Sequence, residues 1–522
     1  MRVVLAAFFM TAVTLLFLDY TGTAHAYIGW CAKVQFFPAL IAVNVAVALG
    51  LALMALLLGR VYCSVICPLG IFQDMISRLP RIGGENRYSY RPPRRQLVIA
   101  RYSLLAIFVV AVALRISIVT AALEPYSVYG RIISQIFAPL YQWGNNVLAY
   151  FAERADSYAF YTVDIWLRDM SALVVAILTF VVISVFAWKS GRGYCNGICP
   201  VGALFGLLSK YSLMNPRIAR ELCLDCGACA ENCKAGCIDP KRKEIDYCRC
   251  VACFNCLERC PNGALKYATS SYMKILPACR GGNPPPADPK DSYDMETHPA
   301  AGNPKELSAD SRVRRGLLTG GIATIFLGFA DSAAGRTYDF DGGLAPLKDK
   351  ETPVRSHSVI PPGADNIRNL RRRCTGCQLC VTTCPNHVLR PSRSASGFMQ
   401  PYMSFERGYC RPECVKCSNV CPTGAIRPIT TAEKSATQIG IAVLALELCV
   451  VNRDGVSCDR CERVCPTKAI KRIPKSADDE SSPKIPMIET NRCIGCGACE
   501  YLCPSRPYSA IYVNGVDVHR TI

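Results

Sequence analysis

A chain of 522 residues has room for three or four domains, and with 51% hydrophobic residues gathered in blocks it combines membrane and soluble parts. Much of the formal charge of +19 lies beside the apolar blocks, where the positive-inside rule asks for it, and no nucleic-acid-binding motif accompanies it, which excludes nucleic acid as the partner. Thirty-two cysteines leave disulfides, zinc or iron–sulfur clusters, while the lack of C-x-x-C-H and a count of only five histidines set c-type haem aside.

Four apolar stretches come first. Residues 3–20, 36–58, 97–122 and 170–188 are long enough for a hydrocarbon core of about 30 Å, and they predict four transmembrane helices within residues 1–216. Arg60, Arg78, Arg81, Arg87, Arg91, Arg94 and Arg95 crowd the loop after the second stretch, whereas Lys33 stands alone in the loop before it. That asymmetry puts the N-terminus and the Arg-rich loop on the cytoplasmic side of a bacterial inner membrane. Between the third and fourth stretches, Ile132, Ile133, Ile136, Phe137 and Leu140 recur at helical spacing and predict an amphipathic helix lying in the interface.

The exits of the second and fourth stretches repeat each other. Gly59-Arg60-Val61-Tyr62-Cys63-Ser64-Val65-Ile66-Cys67-Pro68-Leu69-Gly70 matches Gly191-Arg192-Gly193-Tyr194-Cys195-Asn196-Gly197-Ile198-Cys199-Pro200-Val201-Gly202. Two helix hairpins related by pseudo-symmetry follow, each ending in C-x-x-x-C-P on the cytoplasmic side. Sulfurs at i and i+4 of a helix face one way, so Cys63, Cys67, Cys195 and Cys199 either converge on a shared metal or cluster at the membrane edge or are buried structural or redox thiols.

Residues 217–280 read as a cytoplasmic two-cluster domain. Cys223, Cys226, Cys229 and Cys233 form one run, and Cys250, Cys253, Cys256 and Cys260 the next. Three sulfurs of a C-x-x-C-x-x-C loop and a fourth from the partner run hold a [4Fe-4S] cube, so Cys260 completes the first site and Cys233 the second. Lys234 stands where proline usually follows. Residues 281–311 are a polar linker opening on Gly-Gly-Asn-Pro-Pro-Pro.

Arg314-Arg315 ahead of an apolar run marks residues 312–336 as a twin-arginine-type signal or a fifth membrane anchor. Clusters are assembled in the cytoplasm, so a domain that carries them has to cross already folded, and either device makes residues 337–522 a periplasmic block; the alternative is a loosely apolar linker that leaves every cluster in the cytoplasm. That block holds Cys374, Cys377, Cys380 and Cys384; Cys410, Cys414, Cys417 and Cys421; Cys449, Cys458, Cys461 and Cys465; and Cys493, Cys496, Cys499 and Cys503. All four groups end in Cys-Pro. The chain thus provides for six [4Fe-4S] clusters, and Cys31, Cys237, Cys248 and Cys279 receive no ligand role.

Residues 1–268, with their four spans, two C-x-x-x-C-P elements and two ferredoxin motifs, resemble the NapH-like membrane ferredoxin that accompanies periplasmic nitrate reductase, and a similar protein of methylamine utilisation. From Arg312 onward the chain resembles the exported NapG-like four-cluster ferredoxin, so the whole looks like a fusion of the two. The resemblance implies an α-helical membrane domain joined to α+β bacterial-type polyferredoxin domains. It also implies an electron-transfer subunit of a quinol dehydrogenase-type, hetero-oligomeric complex, drawing on menaquinol or ubiquinol of the quinone pool and serving a periplasmic reductase or cytochrome. Similar four-cluster proteins favour pairing the first cysteine group with the fourth and the second with the third; pairing of neighbours is the alternative. His25, Tyr27, Gln35, Glu124 and Tyr126 near the outer face, and Arg60 and Asp74 near the inner, are candidates for a quinol site. Two other functions fit the same motifs: a reductase used in maturing a metalloenzyme, and a conduit from a cytoplasmic donor to quinone. Substrate chemistry falls to a partner, since no nucleophile–base set or nucleotide-binding glycine loop is evident.

Overall fold

Apart from residues 20, 83–87, 93, 158, 164, 166–168 and 477–478, the computed structural model describes residues 1–269 and 348–522; the linker and the double-arginine segment lie outside them. Both described stretches belong to one compact unit.

Helix α1 (Arg2–Leu18) leads through α2 (Thr23–Ile28), α3 (Trp30–Lys33) and α4 (Phe36–Ile41) to α5 (Val45–Leu58). Past α6 (Val61–Val65) and α7 (Pro68–Ile82), α8 (Arg95–Ala113) is followed by α9 (Ser117–Leu123) and α10 (Pro125–Ile132). Only α8 and α12 (Met170–Ser190) among the described helices are long and apolar enough to cross a membrane by length and composition, while α1 and α5 are apolar but shorter. Among the described residues the second and third of the four predicted stretches are thus broken rather than continuous helices. The second stretch breaks at Val43, whose φ is 59°, and restarts where the Asn44 side chain accepts from the Val47 N–H. The third breaks at Arg115, with φ 63°.

The expected interfacial helix is corrected too. Helix α10 passes through a π-helical turn, Ile133–Phe137, into α11 (Ala138–Arg154), and every residue from Pro125 to Gln135 is buried. This segment packs against α1, α7 and α12, so its apolar side faces protein rather than lipid. Its polar positions are used internally: Glu124 caps α10 by accepting from Tyr126 N, and Arg131 donates to Ala121 O at 2.6 Å.

After α12 come α13 (Gly193–Gly197) and α14 (Pro200–Lys210). Proline suits the start of α7 and α14, because its fixed φ is helical and the N–H it lacks would have no intrahelical partner.

The first ferredoxin unit follows a simple scheme. Strands β1 (Met214–Ile218) and β4 (Leu265–Thr269) pair antiparallel outside the two cysteine runs, and the β2 (Ile238–Asp239) and β3 (Glu244–Ile245) hairpin lies between them. In the C-terminal block, β5 (Leu389–Pro391) and β6 (Pro401–Met403) form the hairpin between the first and second cysteine groups. Strands β8 (Ile470–Ser476) and β9 (Asp479–Ile488) do the same between the third and fourth, enclosed by β7 (Thr437–Leu444) and β10 (Ile511–Thr521). One hydrophobic core runs from Phe17 and Tyr129 of the helical part into Leu379, Phe405 and Ile439 of the C-terminal block.

Candidate metal centres

Sulfur positions follow from these hairpins. Cys223, Cys226, Cys229 and Cys260 line one cavity (site 1), and Cys233, Cys250, Cys253 and Cys256 line a second (site 2), as the crossover scheme requires. In the C-terminal block Cys384 joins Cys410, Cys414 and Cys417 (site 4). Cys503 joins Cys449, Cys458 and Cys461 (site 5), and Cys465 joins Cys493, Cys496 and Cys499 (site 6). Cys374, Cys377 and Cys380 have Cys421 within Coulombic reach (site 3). Neighbouring groups are thus paired, the first with the second and the third with the fourth, and the first-with-fourth arrangement is overturned. A short hairpin brings consecutive motifs face to face and leaves no slack for a distant partner.

Among the described residues no two cysteines form a disulfide. No three His, Cys, Asp or Glu side chains there close on a single ion. Zinc would draw its sulfurs to about 2.3 Å from one atom. Quartets standing open around a cavity instead fit a cube with one sulfur at each corner.

Cys63, Cys67, Cys195 and Cys199 converge as the repeat suggests: each is 5% exposed or less, and the four lie within Coulombic reach of one another. The arginine of each repeat crosses to the other. Arg192 Nη1 donates to Cys63 O at 2.7 Å, and Arg60 Nη2 donates to Cys195 O at 3.4 Å. A methyl group on Gly70 would lie 2.4 Å from Arg192 Nη1, and one on Gly202 would lie 3.1 Å from Arg60 Nη2, so the last residue of each repeat has to be glycine. Gln73 Nε2 donates to Cys195 Sγ at 3.0 Å. A cluster held on these four sulfurs would carry negative charge, and the two fully buried guanidinium groups would supply its counterpart.

Sequence reasoning gave Asp74, Arg60, Glu124 and Tyr126 another role and passed over Arg101, Gln135 and Gln378, yet all of these join the quartet to its neighbours. Lys234 departs from proline for a reason: its Nζ lies 3.1 Å from Asp74 Oδ2, and Asp74 is gripped by Arg192 Nε and Nη2 at 2.7 and 2.8 Å. Arg60 and Arg101 both donate to Cys248 O, at 3.0 and 3.1 Å. On the other side, Gln135 Nε2 donates to Gln378 Oε1 at 2.6 Å, beside Cys377. Gly130 leaves the room for this contact, since a methyl group there would lie 2.7 Å from Cys377 O. Between quartet and site 3 stands a bridge of buried side chains, Tyr194, Arg131, Glu124 and Tyr126, within Coulombic reach of Cys195 and Cys199 at one end and of Cys377 and Cys421 at the other. The legible signal was a charge inside an apolar or amphipathic run, as at Arg101 and Arg131.

The structure distributes the quinol-site candidates among separate contacts. Asp74 and Arg60 serve the interface just described, and Gln35 Oε1 accepts from Tyr62 OH at 3.2 Å. His25 pairs with Asp19 at 3.1 Å, Glu124 caps α10 above buried Tyr126, and Tyr27 is 83% exposed. Cys31 is buried and Cys237 stands in site 2; Cys279 lies outside the described residues.

Comparison with known proteins agrees with this cysteine architecture. A family described as a 4Fe-4S binding domain matches residues 40–83 and 172–220, the two halves of the internal repeat, and a 4Fe-4S dicluster domain matches 373–450 and 456–506. The methylamine utilization ferredoxin-type protein MauM of Methylophilus methylotrophus is 34% identical over 161 residues, 29% of this chain and 69% of that protein. Ferredoxin-type protein NapG of Escherichia coli is 32% identical over 176 residues, 31% of this chain and 75% of its own. The putative electron transport protein YccM of the same organism is 26% identical over 210 residues, 40% of this chain and 50% of its own. No solved structure matches the chain.

Proposed function

The chain belongs to the Nap/Mau-type ferredoxin proteins, iron–sulfur carriers of electrons, and from that premise we propose that it is a transmembrane electron wire that oxidises quinol and delivers electrons to a periplasmic redox partner. In this reading it is a fusion of a NapH-like membrane part with a NapG-like block, with six [4Fe-4S] clusters on sites 1 to 6 and a seventh centre on Cys63, Cys67, Cys195 and Cys199. Such clusters supply one-electron storage and transfer. The protein's part is to hold the sites in line, keep them dry and balance their charge.

One observation carries the reading: each site has a cysteine, or a side chain beside one, within Coulombic or hydrogen-bond reach of the next. Cys229 of site 1 neighbours Cys256 of site 2. Site 2 abuts the quartet through Arg60 and Lys234, and the bridge of Tyr194 and Tyr126 leads to site 3. Cys380 neighbours Cys417 of site 4, Cys410 N donates to Cys496 O of site 6 at 2.9 Å, and Cys499 neighbours Cys461 of site 5.

The sidedness has support of the same kind. The first ferredoxin unit meets the helical part at the ends of α5 and α12, where Tyr267 OH donates to Leu58 O and Arg192 N to Lys234 O. The C-terminal block meets the opposite ends, through Lys416 on Thr21 O just after α1 and Arg393 on Asp169 just before α12. Exposed Leu97, Val109, Val174, Leu178 and Val185 on α8 and α12 suit a lipid surround. A second reading, entry of electrons from a soluble cytoplasmic donor, is favoured by the exposed edge of site 1, where exposed Cys226 lines the same cavity as exposed Leu222 and Leu224.

The test is anaerobic titration of the purified full chain with a reduced menaquinone analogue, followed by EPR and visible absorbance. Reduction by the quinol at steady state is expected. Clusters that dithionite reduces and quinol does not would overturn quinol oxidation and leave the soluble-donor reading.

A further inference from the structure

Site 2 contains a fifth thiol. Cys237 is 1% exposed, lines the same cavity as Cys233, Cys250, Cys253 and Cys256, and has its Sγ 3.5 Å from Cys233 Sγ. It stands four residues beyond the last cysteine of its motif. At that place the five other motifs carry Ala264, Val388, Ala425, Ala469 and Pro507, none of them a metal ligand. The position lies over the preceding sulfur: the N–H of Ala469 donates to Cys465 Sγ at 3.2 Å. A thiol placed there therefore shares a corner of the site with the cysteine before it.

The two thiols are anchored differently. Cys233 precedes Lys234, whose carbonyl accepts from Arg192 N at 3.0 Å and whose Nζ lies beside Asp74, so its main chain is tied to the helical part. Cys237 sits at the foot of the β2–β3 hairpin, its carbonyl accepting from Asp246 N at 2.9 Å, while the carbonyl of Gly236 before it accepts from Arg91 N at 3.2 Å.

We propose that Cys237 is an exchangeable ligand of site 2, taking the iron that Cys233 releases. The Fe–S bond to Cys233 breaks, the Fe–S bond to Cys237 forms, and the proton of the Cys237 thiol passes to the Cys233 sulfur, with no change in electron count. A disulfide between the two would need a two-electron oxidant and is not invoked. The inference rests on the reading that site 2 holds a [4Fe-4S] cube.

Iron and sulfide content with EPR, on the full chain purified without oxygen, tests it in four variants. Cys233→Ala is expected to retain the cube with an altered EPR signal, whereas Cys253→Ala and the double variant Cys233→Ala/Cys237→Ala each lose one cube. Equal loss in Cys233→Ala and the double variant overturns the proposal. An iron content unchanged in Cys253→Ala overturns instead the assignment of a cube to site 2, and the proposal with it. Should Cys233→Ala fail to accumulate, Cys237→Ala alone decides: under chelator its site 2 is expected to lose iron several-fold faster than the parent, and equal lifetimes overturn the proposal.

Discussion

Gly70 and Gly202 are small for the same reason: the arginine of the opposite repeat passes where a side chain would go. A methyl group on Gly202 would also lie 2.3 Å from Cys195 O, a backbone atom that cannot yield. Gly202→Ala is therefore expected to destabilise the helical part by about 1–3 kcal/mol, the usual cost of overpacking, and to release iron bound at the quartet. Gly50→Ala, on α5 with nothing within 4 Å of the added carbon, is the control and is expected to be neutral or stabilising by up to about 1 kcal/mol. Thermal denaturation in detergent, read beside iron content, separates the two; equal effects would remove the packing explanation. The residues of the repeat were legible in the sequence, but their reasons were not. Spacing puts Cys63 and Cys67 on one face of a helix, yet that Arg60 and Arg192 exchange partners appears only when the two repeats are brought together.

At the scale of elements, motif rhythm marked every cysteine group, while their pairing depended on the length of the hairpin between them. Cys384→Ala is expected to remove the same EPR signal as Cys410→Ala, because both line site 4. A loss matching that of Cys493→Ala would instead restore the first-with-fourth arrangement. The segment around Arg131 misled for another reason. Its amphipathic period is real, but a polar face can be satisfied by Gln378 and a backbone carbonyl as well as by headgroups, and periodicity does not distinguish them. Strand β10 carries a further consequence. Burial pushes the His519 imidazole down to about 4, against the pull of Asp365, so the folded chain keeps it neutral. The unfolded chain binds a proton near pH 6.5, and the stability held above that value falls as pH drops toward 4. Between pH 7 and pH 5 this amounts to about 2 kcal/mol, expected as faster amide exchange in β10 and absent in His519→Gln.

For the whole molecule, order matters more than the number of centres. In the proposed topology the two ferredoxin blocks lie on either side of a hydrocarbon core of about 30 Å, too far apart to exchange electrons directly. The interior of the bundle is where the chain spends its least lipid-like residues: Arg60, Arg192, Asp74, Arg131 and Glu124, all buried. Such charges cost free energy to bury unless they are paired, and here they flank the one cysteine quartet that stands between the blocks. If the quartet is the middle of the wire, removing it leaves both ends intact and disconnected. In sealed proteoliposomes, Cys67→Ala/Cys199→Ala is expected to keep sites 1 and 2 reducible by an impermeant reductant on the side of the first ferredoxin unit, while sites 3 to 6 stay oxidised. The parent chain is expected to fill all of them from that side. Sites 3 to 6 filling at the parental rate in the variant would show that electrons pass by another route, and the quartet would then be structural.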